Sequence, residues 1–374
     1  MDYRSALRQR SGVGEYTHHA AAALQALLGA GDRPLALSCF SSSWRDRLRL
    51  SADLAGAEAV DCRVPVRLLN LAWHRLGVPP VEWLTGRRWD VTHSMHPLLI
   101  PAWSGARVIT IYDLYFLEHP EAATAEIRRD YPALVRRHAR RADHIVVISD
   151  YTRRAVCRTF DVPEDRVSLC PPGRPDWSPR ERPPENGYLL FLGTLEPRKN
   201  IGWLLDAYAH LRRQRPDAPR LVLAGGATPA AAPWLARLQL PPLQGYVEYR
   251  GYVPDEGRRD LYAGASVVIQ PSLDEGFGMP VLEAMAIGVP VVAARAGALP
   301  EVGADAVSFV TPNDVRALAE AIAAMLESPD HAAEATARGL RRAQYYAWDR
   351  TARQLYDAYA TAMTTHRRRQ TVSA

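Results

Sequence analysis

The chain is almost without lysine. Of its 46 basic residues only Lys199 is a lysine, and every other positive charge is an arginine. The 4 cysteines show no Cys-x-x-Cys spacing, which argues against a zinc site or a disulfide framework and fits a reducing compartment. No Asp-x-Asp run occurs, so the sequence implies no divalent metal. No run approaches the roughly 20 apolar residues of a membrane helix, and the polar start is not a signal peptide. We therefore expect a cytoplasmic protein.

Length and composition are those of an ordinary globular protein. At 374 residues the chain is long enough for about two domains, each with its own core. Apolar residues make up 47% and charged residues 23%, which confines any disorder to the ends. The net charge of +5 is modest for this length, so charge gives no indication of nucleic-acid binding.

Short apolar runs alternate with helical patterns in both halves, which predicts an α/β fold with parallel sheets. Residues 1–172 and 187–347 are predicted as two doubly wound domains, joined by the proline-rich linker 173–186. Residues 348–374 are predicted as a last helix with a basic tail, which we expect to be disordered at its end. The predicted strands are 34–40, 90–94, 107–113, 144–149 and 166–170 in the first half, and 188–193, 220–225, 247–253, 266–270, 289–293 and 307–310 in the second.

The lone lysine lies in a segment typical of phosphate binding. Lys199 directly follows Arg198 at a predicted strand-to-helix junction. A compact, rotatable ammonium beside a planar guanidinium suits a diphosphate, which needs both a point charge and a bidentate fork. An exposed lysine at a helix start is the plainer alternative, and position alone does not decide between the two.

Further along the chain, a glycine loop between a predicted buried strand and a predicted helix carries two glutamates. The helix is predicted to begin at Pro280. Gly276 and Gly278 let backbone amides approach a ligand, and the helix N-terminus behind them favours an anion. Glu275 on the loop and Glu283 on the first helical turn can accept hydrogen bonds from sugar or ribose hydroxyls of one ligand. Two solvated glutamates around a turn are the alternative.

Together these segments resemble the retaining glycosyltransferases of family 4, which have the GT-B fold. The match runs from about residue 2 to about residue 360 and is strongest from 186 to 315. The resemblance implies that Arg198 and Lys199 neutralise the diphosphate of the donor, that Glu275 contacts the donor sugar, and that Glu283 holds the nucleotide ribose. Further donor contacts implied by the resemblance are Gly193, Gly251, Tyr252, Val253, Gly276, Phe277, Gly278 and Met279.

The resemblance also implies an architecture and a reaction. Two Rossmann-like domains would face each other across a cleft, and the last helix would cross back onto the first domain. The donor would be a GDP- or UDP-linked sugar, which is a substrate, so no cofactor is implied. The acceptor hydroxyl would attack from the same face with retention and without a metal. A mannosyl donor is favoured, while other hexoses and saccharide, lipid-linked or natural-product acceptors stay open.

The first domain should supply the other wall of the site. Asp113 ends a predicted strand where the family commonly has His-Asp, so the aspartate carries over as a catalytic candidate, but Tyr112 replaces the histidine. A phenol can donate a hydrogen bond to a sugar hydroxyl yet stays neutral near pH 7. His93 and His96 lie near another predicted strand end and could line the acceptor side, with a structural role as the alternative.

The start of the chain is unusual for this fold. Gly12 and Gly14 form a glycine turn that normally follows the first strand, and they could approach the donor phosphates. Here only Met1 to Arg4 precede the turn region, and an empty central slot would expose two strand edges. We therefore expect the native polypeptide to carry several more residues upstream of Met1.

Two further questions stay open from the sequence. The basic segment 127–141 has apolar residues on one side and could lie on an anionic membrane surface as a peripheral contact, or it could be a solvated face. The alternative function is a non-catalytic sugar-nucleotide-binding or scaffold subunit of the same fold. An epimerase or phosphorylase of this architecture is another option, although a phosphorylase would need a cofactor lysine and Lys199 is already engaged.

Overall fold

The computed structural model describes residues 1–7, 10, 12–31, 34–119 and 125–373. The chain forms two compact units, one of Met1–Gly173 with Ala347–Ala374 and one of Arg174–Tyr346. Residues 174–186, predicted as a linker, belong to the second unit. Side chains at 118, 125–130 and 372–373 are not described, so the part of the predicted basic segment at Ile127, Arg128, Arg129 and Asp130 lies outside the described side chains.

The first unit contains a two-stranded and a four-stranded parallel sheet, both built of short strands. The strands are β1 (Ser38–Ser41), β2 (Glu58–Asp61), β3 (Val91–Ser94), β4 (Ala106–Ile111), β5 (His144–Val147) and β6 (Val167–Leu169). Strands β3 to β6 pair in sequence order, and β1 pairs with β2. Strand β5 is buried along its whole length, as expected for a central strand covered on both faces.

The first three residues of the chain lie between β1 and β3. The N–H of Phe40 donates to the carbonyl of Met1 (2.8 Å), and the N–H of Tyr3 donates to the carbonyl of Phe40 (2.9 Å). On the other side the N–H of Asp2 donates to the carbonyl of His93 (2.8 Å). The central slot is therefore partly filled rather than empty, and the expectation of residues upstream of Met1 stays a prediction.

Helices pack against these strands. The helix Asp150–Phe160 begins with a side-chain cap, since the Ser149 hydroxyl accepts a hydrogen bond from the N–H of Thr152 (3.0 Å). One core lies around Ile109, Ile145 and Phe160. The helices are α1 (Val13–Gly29), α2 (Val66–Leu71), α3 (Val81–Thr85), α4 (Tyr115–Glu118), α5 (Ala125–Arg141) and α6 (Asp150–Phe160).

The second unit is a doubly wound parallel sheet of six strands. The strands are β7 (Tyr188–Leu192), β8 (Leu221–Ala224), β9 (Val247–Tyr249), β10 (Ala265–Gln270), β11 (Val291–Ala294) and β12 (Ser308–Val310). Their order across the sheet is β12-β11-β10-β7-β8-β9. The chain thus winds outward from β7 in one direction and from β10 in the other, so the direction reverses between these two neighbours. Such a reversal is where open α/β sheets bind ligands.

The helices of the second unit pack on both faces of that sheet. Its core contains fully buried side chains from strands and helices, among them Phe191, Tyr208 and Ile322. The helices are α7 (Ile201–Gln214), α8 (Ala232–Arg237), α9 (Asp255–Ala263), α10 (Met279–Ile287), α11 (Leu299–Gly303), α12 (Val315–Glu327) and α13 (Pro329–Ala343).

The last helix, α14 (Trp348–Ser373), belongs to the first unit and packs against α1, β4 and β5. It buries Leu355, Ala358 and Tyr359. The expectation of a disordered basic end was wrong, because the helix continues through the basic stretch and Arg369 and His366 bind the buried carboxylate of Asp143, each at 3.1 Å.

All eleven predicted strands are present, mostly one to three residues shorter at an end. Strand β2 was not predicted, because Glu58–Asp61 is an edge strand with exposed residues and carries no continuous apolar run. Helix α10 begins at Met279 rather than Pro280, so Glu283 lies just past the first turn. Among the described residues, no helix combines the length and apolar character needed to cross a membrane.

Candidate active site

The two predicted donor segments meet where the second sheet reverses direction. Arg198 and Lys199 form a short 3-10 turn in the loop that follows β7, and Glu275 lies in the loop that follows β10. Because β7 and β10 are adjacent and parallel, their carboxyl ends lie side by side. A backbone hydrogen bond from the N–H of Leu273 to the carbonyl of Arg198 (2.8 Å) joins the two loops. Residues 76 positions apart thus come into contact.

The carboxylate of Glu275 is surrounded by donors. One oxygen, Oε1, accepts hydrogen bonds from Lys199 Nζ (2.5 Å), Gln270 Nε2 (2.7 Å) and Ser272 Oγ (2.8 Å). The other, Oε2, accepts one from Arg198 Nη1 (3.1 Å). Glu275 is 5% exposed and Lys199 8% exposed, so this ion pair is removed from most solvent screening.

The environment keeps Glu275 ionised. Burial alone would raise its pKa, but the charges of Lys199 and Arg198, with hydrogen bonds from Lys199 and Ser272, outweigh burial and lower the pKa to about 2. Arg198 also binds Glu196 at 3.0 Å through Nη2. The two adjacent cations therefore converge on one buried anion, a geometry that a phosphate group could also satisfy.

The glycine loop is fixed by its neighbours. Gly278 has a φ of +109°, and a Cβ at this position would lie 2.6 Å from Leu299 Cδ2, so a larger residue would strain the loop. The ring of Phe277 packs edge-on against Tyr346 with the ring centroids 5.3 Å apart. Directly after the loop, α10 begins at Met279, so the positive end of the helix dipole lies next to the loop. Pro280 has no N–H, and the N–H of Val281 donates to the carbonyl of Gly278 (3.0 Å).

Glu283 is held by a separate pair of donors on α9. The hydroxyl of Tyr262 donates to Glu283 Oε2 (2.7 Å), and Arg258 Nη2 lies 3.3 Å from Oε1. Arg258 also pairs with Asp255 at 2.9 Å. Glu283 is 3% exposed. Burial, and secondarily the charge of Glu283, raises the pKa of Tyr262 well above its ordinary value, so the phenol remains a hydrogen-bond donor.

Glycines end three neighbouring strands of the second sheet. The N–H of Gly193 after β7 donates to the carbonyl of Ala224 (2.9 Å), and the N–H of Gly225 after β8 donates to the carbonyl of Gly251 after β9 (2.6 Å). A Cβ on Gly225 would lie 2.1 Å from the carbonyl oxygen of Gly193, so only glycine allows this close approach. Tyr252 next to Gly251 is 41% exposed.

His93 in the first unit takes a structural position. It is 2% exposed, and its Nδ1 and Nε2 lie at 2.7 Å from the Tyr359 hydroxyl and 2.8 Å from Thr110 Oγ1. Burial, followed by the charge of the chain's N-terminus, lowers its pKa to about 3. Both ring nitrogens are engaged inside the fold, which favours the structural alternative. His96 is more exposed and pairs with the carboxylate of Asp2 at 3.3 Å.

The other candidates of the first unit lie at strand and helix ends. Asp113 follows β4, and its Oδ1 accepts a hydrogen bond from the N–H of Tyr115 in α4 (3.2 Å). The hydroxyl of Tyr112 donates to the carbonyl of Met95 (3.3 Å), and burial raises its pKa. Gly12 precedes α1, and Gly14 lies in its first turn. Their roles in acceptor or phosphate binding stay predictions.

Sequence reasoning missed the residues that hold the two glutamates. Gln270, Ser272, Arg258 and Tyr262 contact Glu275 or Glu283, and Gly225 packs against Gly193. Ser272 and Gln270 precede the glycine loop at the end of a strand, a position that could have marked them. Arg258 and Tyr262 lie within helix α9 and next to no glycine loop or strand end, so the sequence did not indicate their role. A pair of cations at the reversal point of a parallel sheet is the kind of site found in nucleotide-binding α/β enzymes.

Comparisons with known proteins agree with this class. Residues 10–176 match the family model described as Glycosyltransferase Family 4, and residues 186–328 match the model described as Glycosyl transferases group 1. O-antigen chain mannosyltransferase B of Escherichia coli is 35% identical over 264 residues, which covers 67% of this chain and 69% of the relative. The chain belongs to the family 4 glycosyltransferases.

A second relative and a solved structure extend the similarity. D-inositol 3-phosphate glycosyltransferase of Saccharomonospora viridis is 32% identical over 307 residues, covering 77% of this chain and 68% of the relative. The structure of sucrose-phosphate synthase from Thermosynechococcus elongatus superposes with a TM-score of 0.75 at 20% identity, covering 96% of this chain and 97% of that one. The fold is GT-B, with a Rossmann-like domain in each half.

Proposed function

We propose that this glycosyltransferase moves a hexosyl unit from a GDP- or UDP-linked sugar to an acceptor hydroxyl with retention of configuration. The observation that carries the proposal is the convergence of Lys199 and Arg198 on the buried carboxylate of Glu275. The ammonium and the guanidinium that bind this carboxylate are also the donors that a diphosphate would use, so a diphosphate could bind at the same position.

The proposed reaction breaks the bond between the anomeric carbon and the diphosphate oxygen and forms a bond from the acceptor oxygen to the same carbon, while the proton of the acceptor hydroxyl passes to the leaving phosphate. Negative charge then develops on the leaving phosphate, and positive charge develops on the anomeric carbon. The leaving group would be stabilised by Arg198, Lys199 and the N-terminus of α10. The ionised carboxylate of Glu275 would stabilise the positive charge that develops on the anomeric carbon. Because the two cations supply the positive charge, we propose that transfer proceeds without a divalent metal.

Binding of the donor would change the partners of Glu275. Its carboxylate contacts both Arg198 and Lys199, and the donor diphosphate would take over at least part of these contacts. Gln270 and Ser272 could still donate to Oε1 of Glu275 after the diphosphate binds, since both are uncharged and the diphosphate would bind the two cations instead. Glu283, oriented by Tyr262 and Arg258, would accept hydrogen bonds from the ribose.

The sugar and the acceptor are proposed from the relatives. One relative is named as an O-antigen chain mannosyltransferase and another as an MMP alpha-(1->4)-mannosyltransferase. We therefore propose a mannosyl donor and a role in polysaccharide synthesis on a saccharide or lipid-linked acceptor, with natural-product acceptors kept in the test. A lipid-linked acceptor would require peripheral contact with a membrane, for which the basic helix at 127–141 is the predicted segment.

The test is a transfer assay with a panel of GDP- and UDP-sugars, run with and without EDTA. We expect product with GDP-mannose only when a saccharide acceptor is present, and NMR should show the same anomeric configuration in donor and product. Inversion would contradict the retaining mechanism, and loss of activity with EDTA would contradict metal independence. Donor binding without transfer or hydrolysis would favour the non-catalytic subunit instead.

A further inference from the structure

The first unit exposes leucines on a helix that already has a buried face. Helix α2 continues into a π-helical turn at Ala72–Leu76. Its inner face buries Leu69 and Trp73, each 2% exposed, in a core cluster. Its outer face leaves three leucines in contact with solvent, with exposures of 64% for Leu68, 56% for Leu71 and 73% for Leu76. Leucines on an exposed helical face mark a surface that binds another apolar phase.

Positive charge accompanies these leucines. Arg67 and Arg75 are exposed on the same helical segment, next to Leu68 and Leu76 in sequence. No aspartate or glutamate occurs between Cys62 and Val81. Apolar side chains interleaved with arginines, and without acids, match a bilayer interface, where leucines enter the acyl region and arginines stay among the phosphates.

The basic helix predicted from the sequence lies beside this segment. Arg137 of α5 donates a hydrogen bond to the carbonyl of His74 (3.4 Å), which joins α5 to the turn that carries Arg75 and Leu76. Residues 131–141 contain no acid, and the arginines of this stretch are exposed. The basic end of α5 therefore adds positive charge next to the exposed leucines.

We propose that Arg67, Leu68, Leu71, Arg75 and Leu76, with the basic end of α5, form a docking surface for an anionic lipid bilayer. The leucines supply apolar contact, and the arginines attract the negative surface. The proposed function already includes a membrane contact through the basic helix at 127–141, and this leucine–arginine surface rests on that proposal and adds a second segment to the contact. Vesicle binding can be measured without any sugar donor, so its failure and a failure of the transfer reaction are distinguishable.

The test is co-sedimentation of the full chain with vesicles made of phosphatidylglycerol and phosphatidylcholine in equal amounts. We expect binding that weakens with salt and is lost on pure phosphatidylcholine vesicles. The triple variant Leu68→Ser, Leu71→Ser, Leu76→Ser should bind about tenfold less, and Arg67→Glu with Arg75→Glu should bind less still. Leu240→Ser is the matched control, since Leu240 is 59% exposed in the second unit, and it should bind like the wild type.

Other outcomes would overturn the proposal. Equal binding by the triple variant and the wild type would do so, as would no wild-type binding to either vesicle. If the wild type instead formed a dimer that the triple variant lost, the surface would be a contact between copies of the chain. The triple variant should still transfer sugar to a water-soluble acceptor at the wild-type rate, which checks that the substitutions leave the fold intact.

Discussion

At the scale of single residues, Glu275 sets the charge of the candidate site. Its buried carboxylate compensates part of the charge of Lys199 and Arg198, and the low pKa keeps it ionised at any physiological pH. A diphosphate carries more negative charge than one carboxylate, so it can compete for the same donors. The site thus holds a pair of cations fixed in place by an internal anion.

Replacing Lys199 by alanine should lower transfer by at least about 100-fold, because one positive charge on the leaving group is lost. The fold should stay intact because Glu275 keeps Arg198, Gln270 and Ser272 as donors, but the melting temperature should fall because Glu275 loses the cation that lowers its pKa most. Steady-state turnover and thermal unfolding check both statements. Arg213→Ala, an exposed position at the end of α7, is the control and should have wild-type turnover. Near-normal turnover of the Lys199 variant would contradict the assigned role.

Replacing Glu275 by glutamine should separate binding from turnover. The amide keeps the size of the side chain but removes the anion that competes with phosphate, so the affinity for GDP or UDP should rise about tenfold. Transfer should fall by at least about 100-fold because the developing positive charge on the sugar loses its counter-charge. Calorimetric titration with the nucleotide and the transfer assay give the two values. Weaker nucleotide binding in the variant would show that Glu275 does not compete with the diphosphate.

The pKa of Glu275 predicts a pH dependence of stability. Its folded value of about 2 lies below the ordinary value of about 4.3, so the ionised carboxylate stabilises the fold above the ordinary value and loses this effect as the pH falls toward 2. Urea unfolding of the wild type and Glu275→Gln should show a constant difference above about pH 6 and a shrinking one below about pH 4. A difference that grew on acidification would contradict the ion pair.

At the scale of elements, the site depends on which strands become neighbours. The sequence predicts β7 and β10 as separate apolar runs, and the family resemblance links their loops to one ligand. It does not predict that Lys199 and Glu275 pair with each other, because the contact exists only after the two strands lie side by side. The donors on α9 were missed for the same reason, since Tyr262 and Arg258 meet Glu283 only through the packing of α9 against α10.

The end of α14 depends on a buried charge that the sequence did not indicate. Asp143 is fully buried and pairs with Arg107, His366 and Arg369. Asp143→Asn should destabilise the fold by about 1–3 kcal/mol, less than the loss of a fully buried ion pair because the partners are partly exposed. Hydrogen exchange should show lost protection at 364–371, with protection around Leu355 kept.

An exposed acid on α14, Asp349, provides the control for the Asp143→Asn variant. Asp349 pairs with Arg353 four residues along, with side-chain exposures of 65% and 58%. Asp349→Asn should cost less than about 0.5 kcal/mol, because solvent screens the pair. If the two variants lost equal stability, burial would not explain the docking of the helix end.

At the scale of the whole molecule, the two units differ in how the chain builds them. The second unit is one continuous segment, Arg174–Tyr346, and it contains Lys199, Glu275 and Glu283. The first needs two segments, because α14 returns to cover α1, β4 and β5. The sequence predicted this return from the family resemblance, whereas the strand-like position of Met1–Tyr3 could only be seen in the folded chain.

The continuous unit should fold by itself. A fragment of residues 174–346 should unfold cooperatively and bind GDP or UDP, because its core and its cationic pair are complete within it. A fragment of residues 1–173 should aggregate, because the faces covered by α14 would be exposed, and fusing residues 347–373 to its end should restore a soluble fold. Circular dichroism and nucleotide titration test the fragments. A well-folded 1–173 fragment would show that α14 is dispensable.

The central claim is that Arg198 and Lys199 bind the diphosphate of the donor. A crystal structure of the protein with GDP or UDP bound tests it most directly. We expect phosphate oxygens within hydrogen-bonding distance of Lys199 Nζ and the Arg198 guanidinium, with at least one of the Glu275 contacts to these cations broken. A diphosphate bound elsewhere, with the Lys199–Glu275 pair unchanged, would contradict the account.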